Sequence, residues 1–420
     1  MTRFGALARK VDERQAGIAL PLLSVSQTRG VLRQSDLSDR PPRADSLDTY
    51  KICRRGDIVF NKMSIRAGAM GVAAEDGLVT YHYEVMRPLS GSDARFISYL
   101  MKSSAFTVEL IKSERGIGAG SDASGVRTTE VPFSVMKKID VWVPPLSEQR
   151  QIAEYLDQET SKIDKLITKQ EQLVTTLDER RLAVISRAVT RGLRQDEVMR
   201  PSGIDWLGDV PTAWTVKRIK DSVCLAKNGV WGDEPDGGVD DIWCVRVADF
   251  DRSALSVSQL DKTIRNVRKS ERNGRMLKRG DLILEKSGGG EKSPVGFVAI
   301  YDYDEPAVCS NFVARIKLKP GQNARYWLYL HAAAYGTRLS QRSIKQTSGI
   351  QNLDQSSYFN EKVAFPPLDE QVSIVEYLDE VLTQINTVVS KTRRSVALLR
   401  ERRAALISAA VTGKINVRSL

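Results

Sequence analysis

Lysine and arginine side chains are concentrated in one segment, RNVRKSERNGRMLKRGD at residues 265–281, where Glu271 is the one carboxylate before Asp281. Closely spaced cations neutralise phosphate groups, with an affinity that falls as the salt concentration rises. The whole chain carries the same excess, because its formal net charge is +11 and its sequence pI is near 9.4. We therefore predict contact with nucleic acid; a solvated helical face is the alternative.

Two further pairs of segments combine basic and amide side chains. The first pair is NKMSIRAGAMG (61–71) and EKSGGGEKSPVGF (285–297), for which plain hairpin turns are the alternative, and the second pair is 113–130 and 340–355. Arginine makes paired hydrogen bonds to guanine, and asparagine or glutamine to adenine, in the major groove. The residues predicted to contact DNA in these segments and in the basic run are Lys62, Ser64, Arg66, Arg115, Arg127, Thr128, Arg268, Lys269, Arg272, Lys286, Ser287, Lys292, Arg342, Lys345, Gln346, Gln351 and Asn352.

Two patterns for nucleotide chemistry are incomplete. A P-loop requires GxxxxGK[ST], but Glu291 stands where its second glycine is needed. An adenine methyltransferase requires a polar residue before a Pro-Pro-aromatic element, whereas Pro144–Pro145 and Pro366–Pro367 lie between apolar residues. The GIGAG sequence at 116–120 lacks a preceding strand, so it does not indicate a cofactor loop. A self-contained methyltransferase is therefore the weaker alternative.

A metal-dependent nuclease would use Asp281 and Glu285 beside Lys286. The corresponding strand of the first half has Asn61 in the place of Glu285, so only the second half of the repeat could be active. Because a nuclease must cut two DNA strands, this difference argues against nuclease activity. The four cysteines form no CxxC pair and there are two histidines, so no metal ligands are predicted. No run approaches the roughly 20 apolar residues of a membrane span. We expect a cytoplasmic protein without catalytic residues.

One phrase occurs twice, since PPLSEQRQIAEYLD at 144–157 returns as PPLDEQVSIVEYLD at 366–379. Residues 144–190 align without a gap with 366–412, and about half of these positions are identical. An internal repeat of this length indicates one architectural unit used twice. No Pro or Gly follows the proline pair for about forty residues in either copy, so each copy is predicted to form a long helix.

The ends and the packing of these helices follow from local residue types. Ser147 and Asp369 are predicted N-caps, and Gly192 and Gly413 are predicted to end the helices. Apolar residues at near-heptad spacing indicate that each helix packs against a partner helix, and the helix formed by the other repeated segment is the nearest candidate. The alternative is that each helix packs on the globular domain next to it. The predicted core positions, with two polar residues that would fix the register, are Ile163, Leu166, Gln170, Leu173, Leu177 and Val184, and Ile385, Val388, Thr392, Leu399 and Leu406.

The two globular stretches share landmarks in the same order, such as RRGDIVFNK (54–62) and KRGDLILEK (278–286). Short strands alternate with occasional helices in both. The predicted fold is α+β, with two mixed α/β domains joined by two long antiparallel helices that form a coiled coil with pseudo-two-fold symmetry. The predicted segments are 1–146 for the first domain, 147–193 for the first helix, 194–366 for a linker and the second domain, and 367–420 for the second helix and the C-terminal tail.

Together these features resemble the specificity subunit of type I restriction-modification systems. The resemblance rests on the repeated phrase, on ERRLAVISRAVT (179–190) and ERRAALISAAVT (401–412), on SGIDWLGDVPTAW (202–214), and on the order globular–helix–globular–helix. It covers essentially the whole chain. It implies that each globular part is a target recognition domain for one half of a split DNA site, and that the helices set the distance between the domains.

The resemblance also implies the partners of the chain. Two methyltransferase subunits and motor-nuclease subunits would join it on double-stranded DNA. These partners, and not this chain, would bind S-adenosylmethionine, ATP and Mg²⁺. Because the two globular parts differ in sequence, the half-sites are expected to differ, so the expected target is bipartite and non-palindromic. A structural coiled-coil scaffold that binds protein alone is the remaining alternative.

Overall fold

The computed structural model describes residues 1–37, 47–113, 131–291, 293–347 and 349–417. Contacts divide the chain into two compact units. Unit 1 consists of Met1–Gln172 and Thr392–Leu420, and unit 2 consists of Leu173–Lys391. Each unit therefore contains one globular part and about half of each of two long helices. This confirms the predicted α+β class with two mixed α/β parts joined by long helices.

The globular part of unit 1 is built on a four-stranded antiparallel sheet in the order β2-β9-β6-β7. Three two-stranded ladders, β1-β10, β3-β4 and β5-β8, complete it, and helices pack on its apolar core. The elements are β1 Thr2–Arg3, β2 Ala8–Val11, β3 Leu23–Ser26, β4 Gly30–Arg33, β5 Lys51–Cys53, β6 Ile58–Asn61, β7 Met70–Val72, β8 Gly77–Val79, β9 Tyr83–Pro88, α1 Ala94–Lys102, α2 Ser104–Ser113, α3 Phe133–Met136 and β10 Asp140–Val141.

The globular part of unit 2 has a six-stranded sheet in the order β14-β23-β19-β21-β17-β16 and two three-stranded sheets, β18-β15-β22 and β20-β25-β24. The pairs β11-β12 and β13-β26 flank them. The elements are β11 Met199–Pro201, β12 Asp209–Pro211, β13 Thr215–Arg218, β14 Val223–Asn228, β15 Asp241–Val245, β16 Phe250–Asp251, β17 Ser256–Val257, β18 Ile264–Asn266, β19 Asp281–Glu285, β20 Ser287–Gly288, β21 Val298–Tyr301, β22 Ala307–Cys309, β23 Val313–Leu318, α5 Ala324–Gly336, β24 Ile344–Thr347, β25 Ile350–Leu353, α6 Gln355–Phe359 and β26 Lys362–Phe365.

The repeated segments form the two long helices, α4 at Leu146–Arg191 and α7 at Leu368–Val411. Helix α4 was predicted at 147–193, so it begins one residue earlier and ends two residues earlier than predicted. Helix α7 begins one residue after its predicted start at 367. Along each helix one stripe is buried or half-buried, with steps that alternate between four and three residues. This spacing is the heptad pattern of a helix that packs on a partner. The stripe positions are 156, 160, 163, 167, 170, 174, 177, 181, 184 and 188 in α4, and 378, 382, 385, 389, 392, 396, 399, 403, 406 and 410 in α7.

Three of the predicted core residues lie outside this stripe. Leu166 is 48% exposed, Leu173 is 41% exposed and Val388 is 43% exposed. The prediction was wrong at these positions because it counted apolar residues at steps of three or four without fixing the order of the steps. Ile167 and Val389 occupy the neighbouring stripe positions instead. The predicted Ile163, Ile385 and Thr392 are buried, whereas Gln170, Leu177, Val184, Leu399 and Leu406 are half-buried on the stripe.

Within unit 1, ion pairs join the first part of α4 to the last part of α7. The guanidinium of Arg403 lies 2.8 Å from the carboxylate of Asp164, and that of Arg400 lies 2.7 Å from Glu171. Asp164 precedes Glu171 along α4, whereas their partners follow the reverse order along α7. The two segments in unit 1 are therefore antiparallel, as the sequence predicted.

The N-cap of each long helix lies two positions before the predicted one. The carbonyl groups of Pro145 and Pro367 accept the N–H groups of Gln149 and Gln371 at 3.0 Å in both helices. Each second proline is therefore the N-cap residue, and the predicted caps Ser147 and Asp369 lie inside the first turn. Proline suits this position because it has no N–H to leave unpaired ahead of the first helical turn.

The helix ends agree with the prediction. Gly192 and Gly413 follow the helices in the left-handed conformation, with φ of 72° and 71°. Each glycine also lies against an indole ring. A Cβ atom at Gly192 would approach Trp214 to 3.3 Å, and one at Gly413 would approach Trp142 to 3.1 Å. Glycine is therefore required at both ends for its conformation and for the close approach.

A buried glutamine in the repeated phrase ties each long helix to its globular part. The carboxamide of Gln149 donates to the carbonyl groups of Pro144 at 2.9 Å and Gly91 at 3.2 Å, and it accepts the N–H of Asp93 at 2.9 Å. Gln371 repeats two of these bonds, to the carbonyl group of Pro366 at 3.0 Å and from the N–H of Asn323 at 2.9 Å. Both glutamines are 1% exposed.

An aspartate two helical turns further on makes a second connection. In unit 1 the carboxylate of Asp157 accepts from the hydroxyl of Tyr99 at 2.7 Å and from the guanidinium of Arg95 at 2.9 Å, both on α1. In unit 2 the carboxylate of Asp379 accepts from Tyr329 and, at 2.8 Å, from Arg325, both on α5. We call each Gln–Asp pair with its partners the bracket. The repeated phrase EQxxIxEYLD thus encodes one docking geometry twice.

We expect Gln149→Leu to lower the free energy of unfolding of unit 1 by about 1–3 kcal/mol, because three backbone groups lose the buried carboxamide as their partner. The matched control is Gln151→Leu, since Gln151 is exposed two residues further along the same helix. Urea unfolding of the full chain, followed by tryptophan fluorescence, measures both changes. Equal effects of the two substitutions would contradict the role of the bracket.

Candidate nucleic-acid interface

Two of the segments predicted to contact DNA meet in one sheet of unit 2. Strand β25 lies between β20 and β24, so that Ser287 is opposite Asn352 on one side and Lys345 is opposite Asn352 on the other. Along β25, Ile350 and Asn352 are exposed whereas Gln351 and Leu353 are buried. Side chains alternate between the faces of a sheet. We call Ser287, Asn352 and Lys345 the outer row, because they share the exposed face.

Hydrogen bonds order this outer row from both sides. The Ser287 hydroxyl donates to the side-chain oxygen of Asn352, and the Lys345 ammonium lies 2.6 Å from the Asp354 carboxylate. The hydrogen bond from Lys345 lowers the pKa of Asp354. Gln351, on the opposite face, accepts the N–H of Val295 at 3.3 Å. The outer row is therefore a polar surface of fixed geometry, whereas Gln351 supports the sheet from inside.

A basic groove lies beside this sheet. Lys220, Lys227, Arg275 and Lys286 line a cavity of about 780 Å³ in unit 2. Three of these cations bond to neutral oxygens: Lys227 to the carbonyl of Asn273 at 2.7 Å, Arg275 to the carbonyl of Asn228 at 3.0 Å, and Lys286 to the carboxamide of Asn228 at 2.6 Å. A neutral acceptor orients a cation without cancelling its charge. The groove is thus suited to a phosphate group.

Burial affects the lysine that links the groove to the outer row. Desolvation lowers the pKa of Lys286, which precedes Ser287 in the chain. A phosphate placed beside this ammonium group would favour its charged form and offset that effect.

The basic run at 265–281 makes mostly internal contacts. Arg265 is buried and pairs with Glu234, Arg272 lies 3.1 Å from Asp240, and Arg279 lies 2.9 Å from Asp304. These carboxylates come from other segments of the chain, so the run alone did not reveal them. Arg268 and Lys269 are the predicted residues of this run that extend into solvent, with Arg268 4.0 Å from Asp233.

The remaining predicted residues are spread over both units. Lys62 and Ser64 are half-buried and Arg66 is exposed, and all three lie between β6 and β7 in unit 1. Arg342 is exposed on a turn before β24 in unit 2. Gln346 is on β24, but the structure describes its backbone alone. The residues that lie outside the described parts of the chain are Arg115, Arg127, Thr128 and Lys292.

The acidic residues that suggested a nuclease are paired with arginines. Asp281 lies 2.7 Å from Arg315, and Glu285 lies 2.7 Å from Arg252. Both carboxylates are buried, and desolvation raises the pKa of Glu285. Among the residues that the structure describes, no group of three or more His, Cys, Asp or Glu side chains is arranged to hold a metal ion.

The Asp281 pair has a counterpart in unit 1. There the carboxylate of Asp57 accepts two hydrogen bonds of 2.9 Å from Arg87. Asp57 and Asp281 also accept backbone N–H groups of the preceding turns, from Arg54 and Lys278. The RGD turn and the strand that follows it therefore form the same buried anchor in both units.

Two cations of the basic groove could not be recognised in the sequence. Lys220 lies before β14 and Lys227 within it, more than fifty residues before Lys286. The pairing of β14 with β23, and of β23 with β19, brings these segments together. Topology, rather than local composition, creates this site.

Both halves of the chain match one family model, described as the type I restriction modification DNA specificity domain, over residues 44–176 and 258–393. The chain belongs to this family. The two matches cover the later portion of each globular part, from β5 and from β18 onward, together with the first portion of each long helix, which includes the bracket of each unit.

Curated relatives and a solved structure agree with this assignment. The type I restriction enzyme MjaVIII specificity subunit of Methanocaldococcus jannaschii is 23% identical over 306 residues, which cover 71% of this chain and 68% of that protein. The StySPI specificity subunit of Salmonella potsdam is 22% identical over 334 residues, covering 79% and 67%. A chain from a structural study of the assembly of the type I R-M system aligns with a TM-score of 0.69 at 16% identity, covering 99% and 97%. The similarity to this solved structure supports the fold alone.

In the described parts of the chain, no helix combines the length and the apolar character that crossing a membrane requires.

We expect the double variant Lys227→Gln and Lys286→Gln to weaken DNA binding and to reduce its salt dependence. If each lysine neutralises one phosphate, the slope of log K against log salt should fall by about 0.9 per lysine. Fluorescence anisotropy over a range of salt concentrations measures the slope. The control is Lys391→Gln, which removes one positive charge from an exposed side chain of α7 and should leave the slope unchanged. A slope that is unchanged in the double variant would exclude phosphate contact by the groove.

Proposed function

We propose that this chain is the DNA-specificity subunit of a type I restriction-modification complex and that it recognises a bipartite, non-palindromic DNA site. The observation that carries the proposal is the repetition of one family domain, with one bracket, around two different surfaces. The bracket and the long helix are repeated, so each of the two recognition domains is attached to its helix in the same way. Specificity then depends on the residues that differ between them.

The two candidate surfaces differ in composition, which favours two different half-sites. In unit 2 the outer row presents a hydroxyl, a carboxamide and an ammonium group beside the basic groove. In unit 1 the corresponding loop offers Lys62, Ser64 and Arg66. Base edges are distinguished by donors and acceptors of side chains, whereas phosphate contacts carry no sequence information. Different side chains at equivalent places therefore predict different bases.

The proposal assigns all chemistry to partner subunits. Two methyltransferase subunits would bind S-adenosylmethionine and modify one adenine in each half-site, and motor-nuclease subunits would use ATP and Mg²⁺. This chain would be non-catalytic and would act in the cytoplasm, where these subunits meet DNA. The buried pairing of Asp281 and Glu285 with arginines supports a structural role for the two carboxylates that suggested a nuclease.

The proposal is tested by expressing the chain with a methyltransferase subunit that assembles with it and mapping methylated adenines in the host DNA. We expect one split motif, with two unlike halves and a fixed spacer. The isolated chain should bind DNA in a salt-dependent manner but not S-adenosylmethionine. Calorimetric binding of that cofactor to the isolated chain would favour a self-contained methyltransferase, and the absence of any DNA binding would favour a protein-binding scaffold.

Deletion of one heptad from both long helices should shorten the tolerated spacer and leave both half-site sequences unchanged. The matched deletions are residues 170–176 and 392–398. Each removes one heptad, so the stripe positions before and after the deletion stay on the same face of the helix. Seven residues at 1.5 Å each correspond to roughly 10 Å, or about three base pairs. Motif mapping by methylation measures the spacer. An unchanged spacer in a folded, active variant would defeat this prediction.

A further inference from the structure

One turn presents exposed aromatic rings at the same place in both units. In unit 1 the turn Thr80–Tyr83 is closed by a hydrogen bond of 2.9 Å from the N–H of Tyr83 to the carbonyl of Thr80. In unit 2 the turn Ser310–Val313 is closed by the same bond at 3.0 Å. Each turn leads into the strand that pairs with the end of β6 or of β19. We call these two segments the aromatic turns.

The central residues of the aromatic turns extend into solvent. Tyr81 is 50% exposed, and its ring lies 4.0 Å from the ring of His82, between centroids. At the position equivalent to His82, unit 2 has Phe312, which is 49% exposed. A single exposed apolar ring is ordinary on a protein surface. Its recurrence on the same turn of a repeated domain indicates a shared partner.

A second ring stands beside Phe312 in unit 2. Trp231, which is 39% exposed, and Phe312 line one largely apolar cavity of about 420 Å³ together with Ser287 and Gly288 of β20. The guanidinium of Arg265 lies 4.6 Å from the centre of the Trp231 ring and holds it in place. The carboxylate of Glu285, which also lines the cavity, is neutralised by its pair with Arg252. The Trp231 ring is thus held in place in the absence of a partner.

The aromatic turns are attached directly to the candidate DNA-contacting segments. The carbonyl group of Phe312 accepts the N–H groups of Lys286 at 2.8 Å and Ser287 at 3.2 Å. In unit 1, Tyr83 pairs with Asn61, the residue before Lys62. Flat apolar rings next to cations match a polyanion that carries flat rings of its own.

We propose that each aromatic turn contacts the bases of the half-site recognised by its own unit: Tyr81 and His82 in unit 1, and Phe312 with Trp231 in unit 2. This inference rests on the proposed DNA-specificity function. The contact is apolar, through base faces or thymine methyl groups, and involves no phosphate. It adds sequence discrimination to the phosphate contacts of the basic groove, which supply affinity without discrimination.

The test uses the full chain in complex with its methyltransferase subunits and DNA that carries both half-sites. We expect Phe312→Ala with Trp231→Ala to weaken binding by about tenfold or more, as for the loss of one stacked base. The slope of log K against log salt should stay unchanged, because no counterion is released by an apolar contact. When the second half-site is scrambled, the variant and the wild type should bind equally. Tyr81→Ala with His82→Ala should weaken binding to the intact site in the same way. When the first half-site is scrambled, this variant and the wild type should bind equally.

Two controls separate a base contact from a loss of folding. Leu260→Ala removes another exposed apolar side chain from unit 2, where Leu260 is 91% exposed, and should leave binding unchanged. Phe312→Tyr keeps the ring and should restore most of the affinity. Normal assembly with the methyltransferase subunits shows that each variant is folded.

Three results would overturn the proposal: unchanged affinity for the intact site, a change in the salt slope of about one unit, or loss of assembly with unchanged DNA affinity. The second result would indicate a phosphate contact, and the third a protein partner on the rings. If the wild-type complex shows no sequence preference, the proposed DNA-specificity function itself fails, and this outcome is distinct from the other three.

Discussion

The bracket is the interaction on which the rest of this structure depends. A buried carboxamide, Gln149 or Gln371, joins the start of a long helix to the N-cap residue of α1 or of α5, a helix of the globular part. Two turns later Asp157 or Asp379 binds a tyrosine and an arginine of that same helix. Two points along one helix fix both the position and the direction of its neighbour. Neither contact alone would do so.

This constraint connects the fold to the proposed function. A subunit that recognises two half-sites at a set spacing must hold each recognition surface in a fixed orientation on its helix, because spacing on DNA is a matter of geometry. The bracket supplies that fixed orientation within each unit. The outer row, the basic groove and the aromatic turn are then free to vary between units, since none of them takes part in the bracket. Conserving the frame while changing the surface is how one architecture can recognise different sequences.

The sequence predicted the frame better than the surface, for physical reasons. The long helices were evident because a repeated segment without breakers can form little else, and Gly192 and Gly413 marked their ends. The leucine pattern did not reveal the order of its three- and four-residue steps, which is why Leu166 was misplaced. Lys227 was missed because strand pairing, which no local pattern records, brings it to Lys286. Arg265, Arg272 and Arg279 of the basic run proved to be paired with carboxylates from other segments.

A double-mutant cycle tests the central claim most directly. Tyr99→Phe and Asp157→Asn, alone and together, and the equivalent Tyr329→Phe and Asp379→Asn, are compared by the free energy of unfolding of the full chain. We predict a coupling energy of about 0.5–3 kcal/mol within each pair. Tyr99→Phe combined with Asp379→Asn should be additive. Additivity within both pairs would contradict the view that one bracket, used twice, holds the recognition domains on their helices.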